Sequence, residues 1–206
     1  MGLALVGFGV NANADLIFNL GGCDFSSEYG GTGACGGSGA ELPDNALTMT
    51  FSQSNDLTVE LTIDASGMPD LTGKIQEIWF NSIFNFDLLD FEYSSGVQTS
   101  TIILGGNVFA DVGTFDIHFR YLDTRIADGG GDTSIYNITR ENGGDLSVGN
   151  FNALSTGGYN AVMHVNVTGN DESGHYVPTT PVPEPATMLL FGAGLVGFAG
   201  LRLRKK

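Results

Sequence analysis

Positive charge is scarce in this chain. Its 206 residues contain 8 Lys and Arg against 23 Asp and Glu, and Arg202, Arg204, Lys205 and Lys206 account for half of the bases. Before that terminal cluster stand only Lys74, Arg120, Arg125 and Arg140. Residues ahead of position 182 therefore hold 22 acids against 4 bases, a net charge of −18. Such a polyanion repels nucleic acid and anionic lipid surfaces, which excludes both as partners of the body. Histidine and cysteine are nearly as sparse, at three and two. That supply is too small for a histidine- or cysteine-rich metal module. Helical spacing is missing between the two ends of the chain, so no bundle or βαβ architecture is expected there.

Catalytic signatures are missing too. Gly36-Gly37-Ser38-Gly39-Ala40 does not complete a G-x-S-x-G nucleophile elbow. His118 and His164 fall on the polar side of alternating runs, and Asp116 and Arg120 flank His118. That row reads as a cross-strand charge pattern on a wetted sheet. No catalytic residue is assigned, and the chain is read as a non-enzyme, with a secreted hydrolase as a distant third reading. No repeat of fixed period and no second core appear.

What is present is period two. Leu47, Met49 and Phe51 alternate with polar residues, as do Leu57, Val59, Leu61 and Ile63. Phe84, Phe86 and Leu88 continue the pattern. Phe115, Ile117, Phe119 and Tyr121, and later Ala161, Met163, Val165 and Val167, repeat it. Each run predicts a half-buried strand. Further strands are expected over 14–20, 74–80, 97–104, 133–139 and 146–152. Ser54-Asn55-Asp56 predicts a hairpin, and glycine-aspartate clusters mark later loops. The fold class is all-β: a single antiparallel β-sandwich over residues 15–170, jelly-roll-like, with a linker over 171–181 and a C-terminal transmembrane helix.

The two ends carry address-like features. Gly2 to Val10 is short and apolar, and Ala12-Asn13-Ala14 fits a small-x-small cleavage pattern, so 1–14 reads as a signal peptide handled by signal peptidase. No base precedes the apolar stretch, so this leader is expected to lack its beginning. The alternative for this segment is an ordinary first strand. In an exported chain the pair Cys23 and Cys35 favours a disulfide. In the chain-entropy model a loop of about a dozen residues contributes roughly 3 kcal/mol.

From Ala186 to Leu201 no residue is charged. About 20 residues normally span a bilayer, and Leu203 extends this run toward that length. Pro183 and Pro185 suit a helix entry, so a membrane helix is predicted over 186–203. The basic cluster keeps to the cytoplasmic side and places the body outside it. The alternative is a buried core helix. Gly192, Gly194 and Gly197 spell G-x-G-x-x-G, but no strand precedes them, which excludes the dinucleotide reading.

Val182-Pro183-Glu184-Pro185, the glycine-rich apolar run and the Arg/Lys finish together resemble the PEP-CTERM sorting signal. The resemblance covers residues 182–206 only. It implies an exopolysaccharide-producing Gram-negative bacterium. It also implies processing by exosortase, an integral membrane protease-transpeptidase, near Pro183-Glu184-Pro185. The implied destination is a transient inner-membrane anchor, then the cell surface or extracellular matrix. The body is similar, more loosely, to the β-rich ectodomains that precede such signals. The similarity lies in Met49-Thr50-Phe51-Ser52, Leu57-Thr58-Val59 and Ala161-Val162-Met163-His164-Val165 followed by Ser173-Gly174.

Two site expectations concern the body. Asp123, Asp128 and Asp132 surround a triple glycine and offer the oxygen ligands calcium takes, although a plain polar loop explains them as well. No other cofactor is expected. Trp79, Tyr93, Tyr136 and Tyr159 are the aromatics expected to stack on sugar rings if the domain binds exopolysaccharide. A structural or matrix role without a discrete site is the first reading, and a carbohydrate-binding module is the alternative. Trp79 is expected to face away from its neighbours Ile78 and Phe80.

Overall fold

The computed structural model of the chain describes residues 14–22, 42–68, 74–109, 112–121, 126, 132–166 and 173–178. Among them are ten strands: β1 (Leu16–Gly22), β2 (Leu42–Asn55), β3 (Thr58–Asp64), β4 (Lys74–Phe80), β5 (Leu89–Gly96), β6 (Thr101–Phe109), β7 (Gly113–Arg120), β8 (Thr133–Arg140), β9 (Ala161–Asn166) and β10 (Ser173–Tyr176). They form two five-stranded sheets, ordered β1-β2-β3-β8-β5 and β10-β9-β4-β7-β6. Every pairing is antiparallel. The described part of the chain is thus all-β, and its chain path crosses repeatedly from one sheet to the other.

The period-two runs explain the layers. On β3, Val59, Leu61 and Ile63 are buried while Thr58, Glu60, Thr62 and Asp64 keep partial access to solvent. Successive side chains on a strand point to opposite faces, so one face of each run packs inward. The inner faces meet through aromatic rings. Phe51 of β2 contacts Phe80 of β4 edge-on at 5.5 Å, and Phe91 of β5 meets Phe119 of β7 at the same separation. These contacts cross from sheet to sheet and make the pair a sandwich. The fully buried Tyr121 hydroxyl lies 3.1 Å from Ser134 Oγ, which in turn donates to the Val97 carbonyl at 2.6 Å. This polar chain inside the core has its partners satisfied.

Several segments depart from the alternation-based expectation. Residues 84–88 do not make a strand. Asn85 Oδ1 accepts from the Asp87 N–H at 3.3 Å and turns the chain into a 3-10 helix at Phe86–Leu88, and β5 follows it. Residues 146–152 likewise hold a 3-10 helix, Val148–Phe151. There Asn150 Oδ1 accepts from the Ser147 N–H and hydroxyl at 2.7 and 2.9 Å. Local side-chain hydrogen bonds outcompete the sheet ladder in both places. Phe151 drops from that turn into the core and stacks on Phe51 at 4.7 Å.

The 97–104 run starts as a strand only at Thr101. Thr99 Oγ1 takes the Arg120 N–H and donates back to its carbonyl, replacing the ladder there. Within the expected linker, β10 pairs with β9, Tyr176 is fully buried, and Pro178 bridges to Leu20. Leu57 sits at the hairpin turn, 46% exposed, rather than in β3. No helix among the described residues is long and apolar enough to cross a membrane. The predicted span 186–203 lies outside the described residues.

Candidate functional site

Strand β4 sends Ile78 and Phe80 into the main core and turns Glu77 and Trp79 to the outer face of its sheet. Register then assembles a polar row across that face. Glu77 lies opposite Arg120 of β7 on one side and His164 of β9 on the other, and His164 lies opposite His175 of β10. Cross-strand partners sit close enough for direct contact. Glu77 Oε2 is 3.0 Å from His164 Nδ1. Glu77 Oε1 lies 3.1 Å from Arg120 Nε and 3.4 Å from His118 Nε2. Those last two contacts are electrostatic, because neither nitrogen is aligned as a hydrogen-bond donor. The rings stack in turn: His118 on Trp79 at 4.5 Å, and His164 on His175 at 4.6 Å.

Burial alone pushes the Glu77 carboxyl upward. The His118 and His164 contacts outweigh it and hold the group well below the usual carboxylate range. Glu77 is therefore a fixed anion, suited to fastening three strands and unsuited to donating a proton. The two imidazoles address opposite carboxylate oxygens and do not converge on one point. Among the described residues no group of three or more His, Cys, Asp or Glu side chains is placed to hold a metal ion. Alternation placed His118 and His164 on the outer face correctly. The burial of His118, at 7% exposure, follows from Trp79 lying against it.

The four aromatics read as sugar platforms do not share an exposed strip. Trp79 does face away from Ile78 and Phe80, but it is only 4% exposed, in a satellite core with Val112, Phe115 and Val162 against which Tyr159 packs. Tyr136 is buried on the opposite sheet, where its hydroxyl accepts from the Thr99 N–H at 2.7 Å. Tyr93 meets Tyr136 edge-on and donates to the Gly96 carbonyl at 2.6 Å. Large rings on strands go to the core first because they bury the most area. Asp132 is exposed, and its carbonyl accepts from the Ala65 N–H at 2.6 Å. Ala14 is half-buried just ahead of β1. Asp123, Asp128, Ala12, Cys23, Cys35, Val182, Pro183, Glu184, Pro185 and the basic cluster from Arg202 to Lys206 lie outside the described residues.

A concave site that the sequence reading missed opens at one end of the sandwich. Gln53, Asp56, Phe84, Asp145, Leu146 and Asn150 line a cavity of about 300 Å3. Its walls come from the β2–β3 hairpin, the segment after β4 and the segment after β8. Gln53 ties the hairpin to the segment after β8. Its Nε2 donates to the Leu146 carbonyl at 2.7 Å and the Thr58 carbonyl at 3.3 Å, and its Oε1 accepts from the Val148 N–H at 3.2 Å. The Leu146 N–H donates to the Asp56 carbonyl at 3.0 Å, and the Ile83 N–H donates to the Asn150 carbonyl at 2.8 Å. Arg140 lies over the Phe84 ring at 4.4 Å and donates from Nη1 to the Asp145 carbonyl at 3.3 Å. Asp-containing turns were visible in the sequence; their convergence depends on contacts 90 or more residues apart in the chain.

Residues 181–205 match the family model of the PEP-CTERM protein-sorting motif. The match starts one residue ahead of the segment singled out from sequence and takes in Pro183-Glu184-Pro185, the apolar run and most of the basic finish. It marks an exported, exosortase-sorted protein with a C-terminal membrane anchor before cleavage. No curated protein matches the chain, and no solved structure matches it.

Proposed function

We propose that this chain is a non-catalytic surface or matrix protein whose β-sandwich is delivered by its own C-terminus. The signal peptide, residues 1–14, is removed after Ala14. The helix over 186–203 then holds the precursor in the inner membrane, with Arg202, Arg204, Lys205 and Lys206 on the cytoplasmic side. Exosortase cuts at or near Pro183-Glu184-Pro185 and frees the sandwich for the cell surface or the exopolysaccharide matrix. A disulfide between Cys23 and Cys35 closes the loop ahead of β2 after export.

The observation that carries this reading is the sorting motif at residues 181–205. Two features of the body are consistent with it. Its charge of −18 keeps it soluble and away from anionic surfaces. Pro178 still bridges to β1, so the described sandwich reaches to within a few residues of the motif. Expression of Glu184→Ala and Pro183→Ala/Pro185→Ala variants in a host that makes exosortase tests the proposal. The helix-bearing precursor is expected to accumulate in the membrane fraction. Normal processing of both variants overturns the sorting role of the motif.

A further inference from the structure

We propose that the cavity between Asp56, Asp145 and Phe84 is a binding site for a single neutral sugar residue. The inference does not depend on how the chain is sorted.

Three observations converge on it. First, the site is concave and held open in advance. Gln53 spends its amide on backbone partners in the β2–β3 hairpin and in the stretch after β8, and the Ile83 N–H fastens the third wall to the Asn150 carbonyl, so the walls are set before any ligand arrives. Second, the lining is amphipathic in the way a pyranose ring demands. The Asp56 and Asp145 carboxylates, both on exposed residues, accept only and suit a ligand that presents hydroxyl donors. The buried Leu146 and the half-buried Phe84 offer apolar surface to the C–H face of a ring. Third, the described residues expose three large apolar side chains, and all three flank this site along the chain. Leu57 (46% exposed) follows Asp56, Ile83 (65%) precedes Phe84, and Leu154 (62%) stands just past the turn that carries Asn150. Leu57 and Ile83 adjoin lining residues directly in the chain, which puts exposed apolar surface beside the hollow. The volume of about 300 Å3 lies at the small end of ligand pockets and limits the occupant to about one ring. Arg140 over Phe84 is one cation against the two carboxylates, so in a chain of net charge −15 the site favours neutral sugars over uronic acids and other anions.

The test uses the full chain in mild detergent. Saturation-transfer NMR is recorded with methyl β-D-glucopyranoside, methyl α-D-mannopyranoside and N-acetyl-D-glucosamine, with D-galacturonate as the charged counter-probe and calcium chloride as a separate arm. At least one neutral sugar is expected to receive signal, in EDTA as well as in calcium, and galacturonate is expected to receive none. Asp56→Asn and Asp145→Asn keep the shape and remove the charge, and each is expected to weaken binding about tenfold. Asp145→Lys, at an exposed position that tolerates it, is expected to abolish binding while the thermal midpoint holds. The proposal is overturned if none of the three neutral sugars binds. It is overturned equally if binding survives all three variants, or if the site responds to calcium and to no sugar.

Discussion

Glu77 Oε2 and His164 Nδ1 meet at 3.0 Å across two neighbouring strands, and the same carboxylate lies 3.4 Å from His118 on the strand beyond. One anion thereby holds β4, β7 and β9 together on the outer face of a sheet. Its carboxyl is depressed below its ordinary value of 4.5 in the fold. A depressed acid contributes stability that is fully present above its unfolded value and is lost as pH falls through the folded one. Glu77→Gln is expected to cost about 1.5–3 kcal/mol at neutral pH. The penalty should shrink as pH drops below about 4.5, where the unfolded wild type takes up the proton first. Urea melts of both proteins between pH 7 and pH 3 check this, and a penalty independent of pH contradicts it.

Phe51 is the hinge of the aromatic core. It stacks on Phe151 at 4.7 Å and meets Phe80 and Phe18 edge-on at 5.5 and 5.8 Å. Phe51→Ala leaves a cavity between the sheets and is expected to cost about 3–5 kcal/mol. Denaturant titration measures this as a drop in midpoint with little change in slope.

Gly96 closes β5 with φ +88°, and a Cβ there would stand 2.2 Å from the Thr133 carbonyl oxygen. Gly96→Ala is expected to destabilise the fold by more than about 1 kcal/mol, because backbone strain and a clash with rigid main chain add together. Thermal melting checks the size of the loss. Gly143→Ala is the natural contrast: its φ is +65°, yet nothing lies within 4 Å of the added carbon, so it should cost less.

The Tyr121 hydroxyl meets Ser134 inside the core, and burial pushes the phenol far above its usual range. Tyr121→Phe is expected to cost about 1 kcal/mol, with Ser134 keeping its bond to the Val97 carbonyl. The tyrosine absorbance titration of the folded protein should also lack a component from Tyr121 in the ordinary phenol range.

Alternation exposed most of the sandwich to reading from sequence. β2, β3, β7 and β9 fall on the period-two runs, and β1, β4 and β8 on the further strands expected; β3 is the simplest case, with one buried and one wetted face. Two of the failures share a cause. Phe84, Phe86 and Leu88 alternate as a strand does, but the Asn85 side chain captures the Asp87 N–H and curls the segment. Ser147 and Asn150 do the same before Phe151. Such local bonds leave no periodic trace. β10 was hidden in a polar stretch whose strand character comes from pairing with β9. The outward direction of Trp79 was legible; the neighbours that bury it were not. The end cavity was invisible because Gln53 and Leu146, which frame it, are joined only by the fold.

The most direct test of the sorting account is the intact mass of the protein recovered from a host that makes exosortase. The account predicts one secreted or surface-held species that begins at Asp15, ends at or near Pro183-Glu184-Pro185 and lacks the apolar run from Ala186. Recovery of the whole 206-residue chain, dissolved in the cytosol with that run intact, would contradict it.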